Sequence, residues 1–162
     1  TGYTIIAGSV GFLVYNAPPA KIFMGDVGSA FLGFVFATLA IIAARYDDSH
    51  TSFLVMPMLL FHFLFDTVFT FLRRIINGKN PLKAHRSHLY QLRVRSGHTH
   101  LEVTLMLSCM AFLQGLGAMW MVNIPGNERL FVFIPFLVIQ VVYAALTLKR
   151  ARKKGIDLSR DG

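Results

Sequence analysis

One carboxylate, Asp26, stands between two glycines in Met24-Gly25-Asp26-Val27-Gly28-Ser29, where a polar stretch with a Pro-Pro pair and Lys21 gives way to a long apolar run. A charge at the rim of an apolar segment is costly and calls for a partner. A hard cation such as magnesium suits it, because that ion takes one or two carboxylates from the protein and completes its oxygen shell from phosphate and water. Ser29 and the neighbouring amides would cap the helix that starts there and offer donors to phosphate oxygens. The alternative is that Asp26 is only an N-cap favoured by the helix dipole. The residues alone leave the two equally open.

A second constellation is Ala84-His85-Arg86-Ser87-His88-Leu89-Tyr90-Gln91. Two histidines three apart share one face of a turn or helix. With the arginine between them they suit an anionic diphosphate, which arginine grips bidentately and histidine meets with a hydrogen bond. A zinc site lacks further ligands at a persuasive spacing, and a solvated basic loop remains the alternative.

Asp66 lies inside an apolar run with His62 one turn before it and Arg73 two turns after. An acid so placed is either functional or one half of a structural pair with Arg73, Arg74 or a neighbouring helix. The adjacent Asp47-Asp48 would suit a two-point metal site, but it falls in a different loop from the other candidates. Near His98 and His100, Thr99 and Glu102 have the spacing of a capping box, so capping is the expected role there.

These residues must be held by membrane helices. Of 162 residues, 54% are hydrophobic and 15% charged, and the mean hydropathy is +0.55. That is too apolar for an ordinary water-soluble domain. Runs at 28–44, 51–72, 101–122 and 130–148 approach the roughly 20 residues needed to cross a bilayer. With 2–15 as an incomplete first span, the expectation is an all-α, polytopic transmembrane bundle of about five spans.

Apart from Arg45 and Arg129, all 16 lysines and arginines lie in segments 16–27, 73–100 and 149–162. These segments alternate with the spans, so they are expected on the cytoplasmic side, the last as a basic tail. The net charge of +8 therefore reads as an orientation signal with some attraction for phosphates, and not as a nucleic-acid footprint. The single Cys109 lies in an apolar run. No basic segment or cleavage site marks a signal peptide near Thr1, and the expectation is a piece of a longer chain.

Pro18-Pro19-Ala20-Lys21-Ile22-Phe23-Met24-Gly25-Asp26-Val27-Gly28-Ser29, followed by His85-Arg86-Ser87-His88-Leu89-Tyr90-Gln91, resembles the C-terminal half of bacterial polyprenyl-phosphate N-acetylhexosamine-1-phosphate transferases. The resemblance covers about residues 3–107 and makes the whole chain the C-terminal part of one integral membrane transferase domain. It implies transfer of an N-acetylhexosamine-1-phosphate from a UDP-sugar to undecaprenyl phosphate at the cytoplasmic face of the inner membrane, with release of UMP. It further implies Mg2+ on Asp26, and His85, Arg86 and His88 on the nucleotide diphosphate, with Asp26, His85 and His88 as catalytic residues and Lys21, Arg86 and Ser29 as substrate-binding ones. His-Arg-Ser-His at positions 85–88 and two helices after that loop look more like the branch that starts O-antigen or related glycans than the peptidoglycan branch. The family's front half carries an Asp-Asp pair on the cytoplasmic side that these residues lack. The chain is therefore expected to need its missing N-terminal half and to be inactive alone. A non-catalytic membrane scaffold is the alternative.

Overall fold

The computed structural model describes residues 2–17, 19–46, 51–80, 83, 86–126 and 128–156. They are α-helices joined by turns: α1 Gly2–Asn16, α2 Gly25–Arg45, α3 Thr51–Leu59, α4 Phe61–Ile76, α5 Leu89–Arg95, α6 His100–Val122, a 3-10 turn Arg129–Val132, and α7 Phe133–Lys153. His85 and the Asp47-Asp48 pair lie outside the described residues. The chain forms two compact units, one up to Leu39 and one from Ala40 onward.

Among the described residues, Gly25–Arg45, His100–Val122 and Arg129–Lys153 are long and apolar enough to cross a membrane. This confirms an all-α polytopic bundle, in which α1 is the span expected to be incomplete and the bent pair Phe53–Leu59 and Phe61–Ile76 adds a fourth if it counts as one span. α1 has 15 residues, about 22 Å at the rise of an α-helix, short of a hydrocarbon core of about 30 Å. The run expected as one span over 51–72 is broken, with Phe53–Leu59 and Phe61–Ile76 bent by 70°.

The break follows Pro57 in α3. Proline has no N–H for the helix ladder, and its ring crowds the carbonyl four residues back. The chain absorbs this at Leu60, where φ is −97° and ψ is 8°. Hydrogen bonds from the Leu60 amide to Met56 O and from the Leu64 amide to Leu60 O, both 3.0 Å, carry the ladder through the bend. At the other end of α4, Gly78 at φ +67° reverses the chain, and the Lys79 amide bonds Arg74 O at 2.9 Å.

α4 also shows which solvent the second unit is built for. Its buried residues are His62, Asp66, Thr70 and Arg74, a polar stripe at four-residue spacing. Phe63, Leu64, Val68, Phe71 and Leu72 on its other faces are exposed. That inversion is stable in lipid, where polar groups must find partners inside the protein.

The interior of this unit has two apolar clusters. Met58, Ala118, Met121 and Val132 form one, with Phe136 against it, and Leu89, Tyr143 and Ala144 form the other, with Phe65 and Phe69 against it. At the first, α6 approaches its neighbours at Gly117, where a Cβ would lie 2.6 Å from the Phe136 ring and 2.8 Å from Met58 Cε.

Candidate active site

In the first unit, the chain after α1 folds back on that helix. The Lys21 amide bonds Tyr15 O at 2.8 Å, and Asn16 Nδ2 donates to Ile22 O at 2.8 Å. Lys21 is exposed on the resulting turn. Gly25 then takes φ +65°, a conformation open to glycine at little cost, and α2 begins there, three residues before the apolar run. Asp26 therefore sits inside the first helical turn and is not an N-cap. Ser29 also differs from expectation: its hydroxyl donates to Asp26 O at 3.1 Å and does not cap the helix.

The Asp26 carboxylate is exposed and makes no ion pair or side-chain hydrogen bond among the described residues. It stands at the positive end of a 21-residue helix, which favours a negative charge there. Beside it an apolar groove of about 810 Å³ runs between α1 and α2, lined by Ile5, Gly8, Phe12, Phe23, Gly28 and Phe31 among others.

The second unit carries the basic loop. α4 grips its two ends: the Arg74 guanidinium donates to Asn80 O at 2.7 Å, and Arg73 donates to Ser87 O. From α5, Arg95 Nη1 donates to Arg86 O at 3.3 Å. These arginines hold backbone carbonyls, a use that counting basic residues as an orientation signal did not reveal. The Arg86 side chain is exposed and makes no hydrogen bond or ion pair among the described residues.

His88 follows as the N-cap of α5, where its amide donates to Gln91 Oε1 at 3.1 Å. Its side chain is 28% exposed, and Nδ1 lies 3.6 Å from Asp66 Oδ1. Its ring stacks near Tyr90 at 6.0 Å. Asp66 also accepts from the Leu89 amide at 2.9 Å and from Thr70 Oγ1 at 3.1 Å. Its hydrogen-bond partners are thus the start of α5 and its own helix, so that of the partners the sequence leaves open, Arg73, Arg74 or a neighbouring helix, the neighbouring helix is the one that bonds it.

Thr99 and Glu102 form the expected capping box. The Glu102 amide bonds Thr99 Oγ1 at 3.2 Å, and the Thr99 amide bonds Glu102 Oε2 at 2.9 Å. His98 joins this helix start through Nδ1, 3.4 Å from Glu102 Oε2. Among the described residues no three His, Cys, Asp or Glu side chains gather as a metal site. The site residues thus fall into two groups: Lys21, Asp26 and Ser29 in the first unit, Arg86 and His88 in the second.

Residues 1–44, which include Asp26, match the family described as Glycosyl transferase family 4. Over 144 residues the chain is 32% identical to a probable undecaprenyl-phosphate N-acetylglucosaminyl 1-phosphate transferase of Bacillus subtilis (strain 168), covering 88% of this chain and 40% of that protein. The chain is a part-length relative of the glycosyl transferase family 4 proteins.

Two further relatives agree. A decaprenyl-phosphate N-acetylglucosaminephosphotransferase of Mycolicibacterium smegmatis (strain ATCC 700084 / mc(2)155) is 27% identical over 163 aligned residues, 93% of this chain and 40% of that protein. A phospho-N-acetylmuramoyl-pentapeptide-transferase of Latilactobacillus sakei subsp. sakei (strain 23K) is 54% identical over 44 residues, 27% of this chain and 14% of that protein. The chain spans about 40% of the length of the first of these curated relatives. No solved structure matches it.

Proposed function

We propose that this chain forms part of an enzyme that transfers an N-acetylhexosamine-1-phosphate from a UDP-sugar to undecaprenyl phosphate, in the initiation of a cell-wall or O-antigen glycan. A phosphate oxygen of the lipid forms a bond to the sugar-bearing phosphorus, and the bond from that phosphorus to UMP breaks. The observation that carries the reading is Asp26, an exposed carboxylate at the positive end of α2 beside an apolar groove of about 810 Å³. That pairing suits a lipid phosphate, with its chain in the groove and its headgroup beside the carboxylate.

Repulsion between two phosphates is the main obstacle to such a reaction. Magnesium, when bound, would supply a Lewis acid that neutralises their oxygens. One protein carboxylate is a sufficient anchor for that ion, which keeps water and substrate phosphates in its other positions, and Asp26 has no competing partner among the described residues. Lys21 and Ser29 would lie on the phosphate oxygens. Arg86, His88 and His85 would hold the nucleotide diphosphate, stabilising charge that develops on the leaving UMP. Without the Asp-Asp pair that the resemblance places in the missing front half, the chain alone is expected to be inactive.

We place the basic segments in the bacterial cytoplasm by the positive-inside rule. A hydrogen bond between the end of α5 and the end of α7 supports a common side for two of them: Arg150 Nε donates to Ser96 O at 3.4 Å.

Co-expression with the front portion of a family relative tests the reading, with transfer of labelled sugar phosphate to undecaprenyl phosphate as the readout. Restored turnover is expected to be magnesium-dependent and to fall at least about 100-fold in Asp26→Asn, the loss of a metal-held charge. Turnover unchanged in that variant refutes the reading, and product made by the chain alone refutes the need for a second part.

A further inference from the structure

Asp66 has no part in the reaction above, and its surroundings do not suit contact with substrate. The residue is 4% exposed. Its Oδ1 receives the Thr70 hydroxyl at 3.1 Å and the Leu89 amide at 2.9 Å, with His88 Nδ1 at 3.6 Å. A carboxylate buried without donors is strongly disfavoured, and here the chain itself provides them.

Two of the three belong to the residues that open α5. That helix has 7 residues, too few to be stable unaided, so tertiary contacts must decide where it begins. A negative charge at its N-terminus favours the helical state. Farther along α4, Arg73 and Arg74 hold the carbonyls of Ser87 and Asn80. One face of α4 thus fixes the two ends of the loop and the first turn of α5.

We propose that Asp66 is the positioning residue for His88: it anchors the start of α5 and thereby sets where Arg86 and His88 are presented. This rests on the reading that those two side chains meet the nucleotide diphosphate. Asp66 attracts His88 by its charge and fixes Leu89 by its acceptor, so a neutral isostere separates the two effects. A purely structural residue would hold α4 against α5 without influencing the His88 ring.

The test uses the whole chain, labelled with 15N-histidine in lipid nanodiscs, with the His88 ring signal assigned from H88Q. Asp66→Asn is expected to shift the His88 ring resonances while those of His98 and His100 stay in place, and Asp66→Glu to bring them back toward their original positions. An unmoved His88 in Asp66→Asn overturns the proposal. If that variant does not fold, Thr70→Val removes a donor from the same oxygen without touching α5. It should displace the His88 signal in the same direction, and no displacement overturns the proposal.

A second arm adds UDP-N-acetylglucosamine with Mg2+ to the chain co-expressed with its front portion. Binding weakened about tenfold or more in Asp66→Asn supports the positioning role, and unchanged binding overturns it. If the nucleotide leaves the His88 signal untouched in the parent while Asp66→Asn still moves it, the positioning of His88 stands and the diphosphate reading falls.

Discussion

Arg93 on α5 and Thr147 on α7, 54 residues apart in the chain, meet through a hydrogen bond from Nε to Oγ1 of 2.9 Å. The same guanidinium lies over the Tyr143 ring, 5.1 Å from its centroid, and its Nη1 is 3.3 Å from His98 Nε2. Arginine has no acceptor, so His98 Nε2 must accept and its ring proton lies on Nδ1, toward Glu102. A single side chain thereby ties three helices together at the basic end of the bundle.

Arg93→Lys keeps the charge and loses the planar fork that reaches Thr147 and His98 at once. The expected cost is about 1.5–3 kcal/mol, the range for hydrogen bonds to a charged group. Unfolding of the reconstituted protein by steric trapping measures it, and stability equal to the parent would refute the tie.

Gly117→Ala should destabilise the chain by about 1–3 kcal/mol through overpacking. The new methyl would stand 2.6 Å from the Phe136 ring. Adding Phe136→Leu should recover part of the loss, and additive losses in the double variant would place the strain elsewhere.

Thr99→Ala removes the acceptor for the Glu102 amide and should cost about 1 kcal/mol. Thr99→Ser retains the cap and should lie within a few tenths of a kcal/mol of the parent. Hydrogen exchange in the first turn of α6 localises the effect: faster exchange of the Glu102 amide in the alanine variant alone is the expected pattern.

Gln114 is 1% exposed, with both Nε2 and Oε1 buried and unpartnered among the described residues. Gln114→Leu keeps a similar volume and relieves that desolvation. A gain of about 1 kcal/mol is expected, and a comparable loss would mean that the amide has a partner.

How far these features could be read from residues alone follows from what sets each one. Long apolar runs made α2, α6 and α7 legible, and the Thr99 to Glu102 spacing announced the start of α6. Pro57 lies inside the run 51–72, but the 70° bend there depends on how α3 and α4 pack, which the residues alone do not show. α5 is too short to show a period, and its start depends on Asp66, 23 residues earlier. Asp26 stood out as a charge beside an apolar run. The start of α2 at Gly25, by contrast, rests on a positive φ that the glycine permits and does not require. Arg73, Arg74, Arg93 and Arg95 read as a charge count because their carbonyl and hydroxyl partners are chosen by the tertiary fold.

The polar stripe of α4 also bears on how the protein enters the membrane. A charged residue such as Asp66 costs about 2.5–3.5 kcal/mol near the centre of a helix handed to the insertion machinery alone, and Arg74, in the last turn of α4, costs less. Beyond α4 itself, their partners lie downstream: Asp66 waits for Leu89, Arg74 for Asn80, and His62 for Gln140, 78 residues later. Stable insertion of α4 is therefore coupled to synthesis of the helices that follow. A nascent chain ended at residue 79 should leave α4 outside the bilayer in glycosylation mapping, and extension through α7 should bring it in.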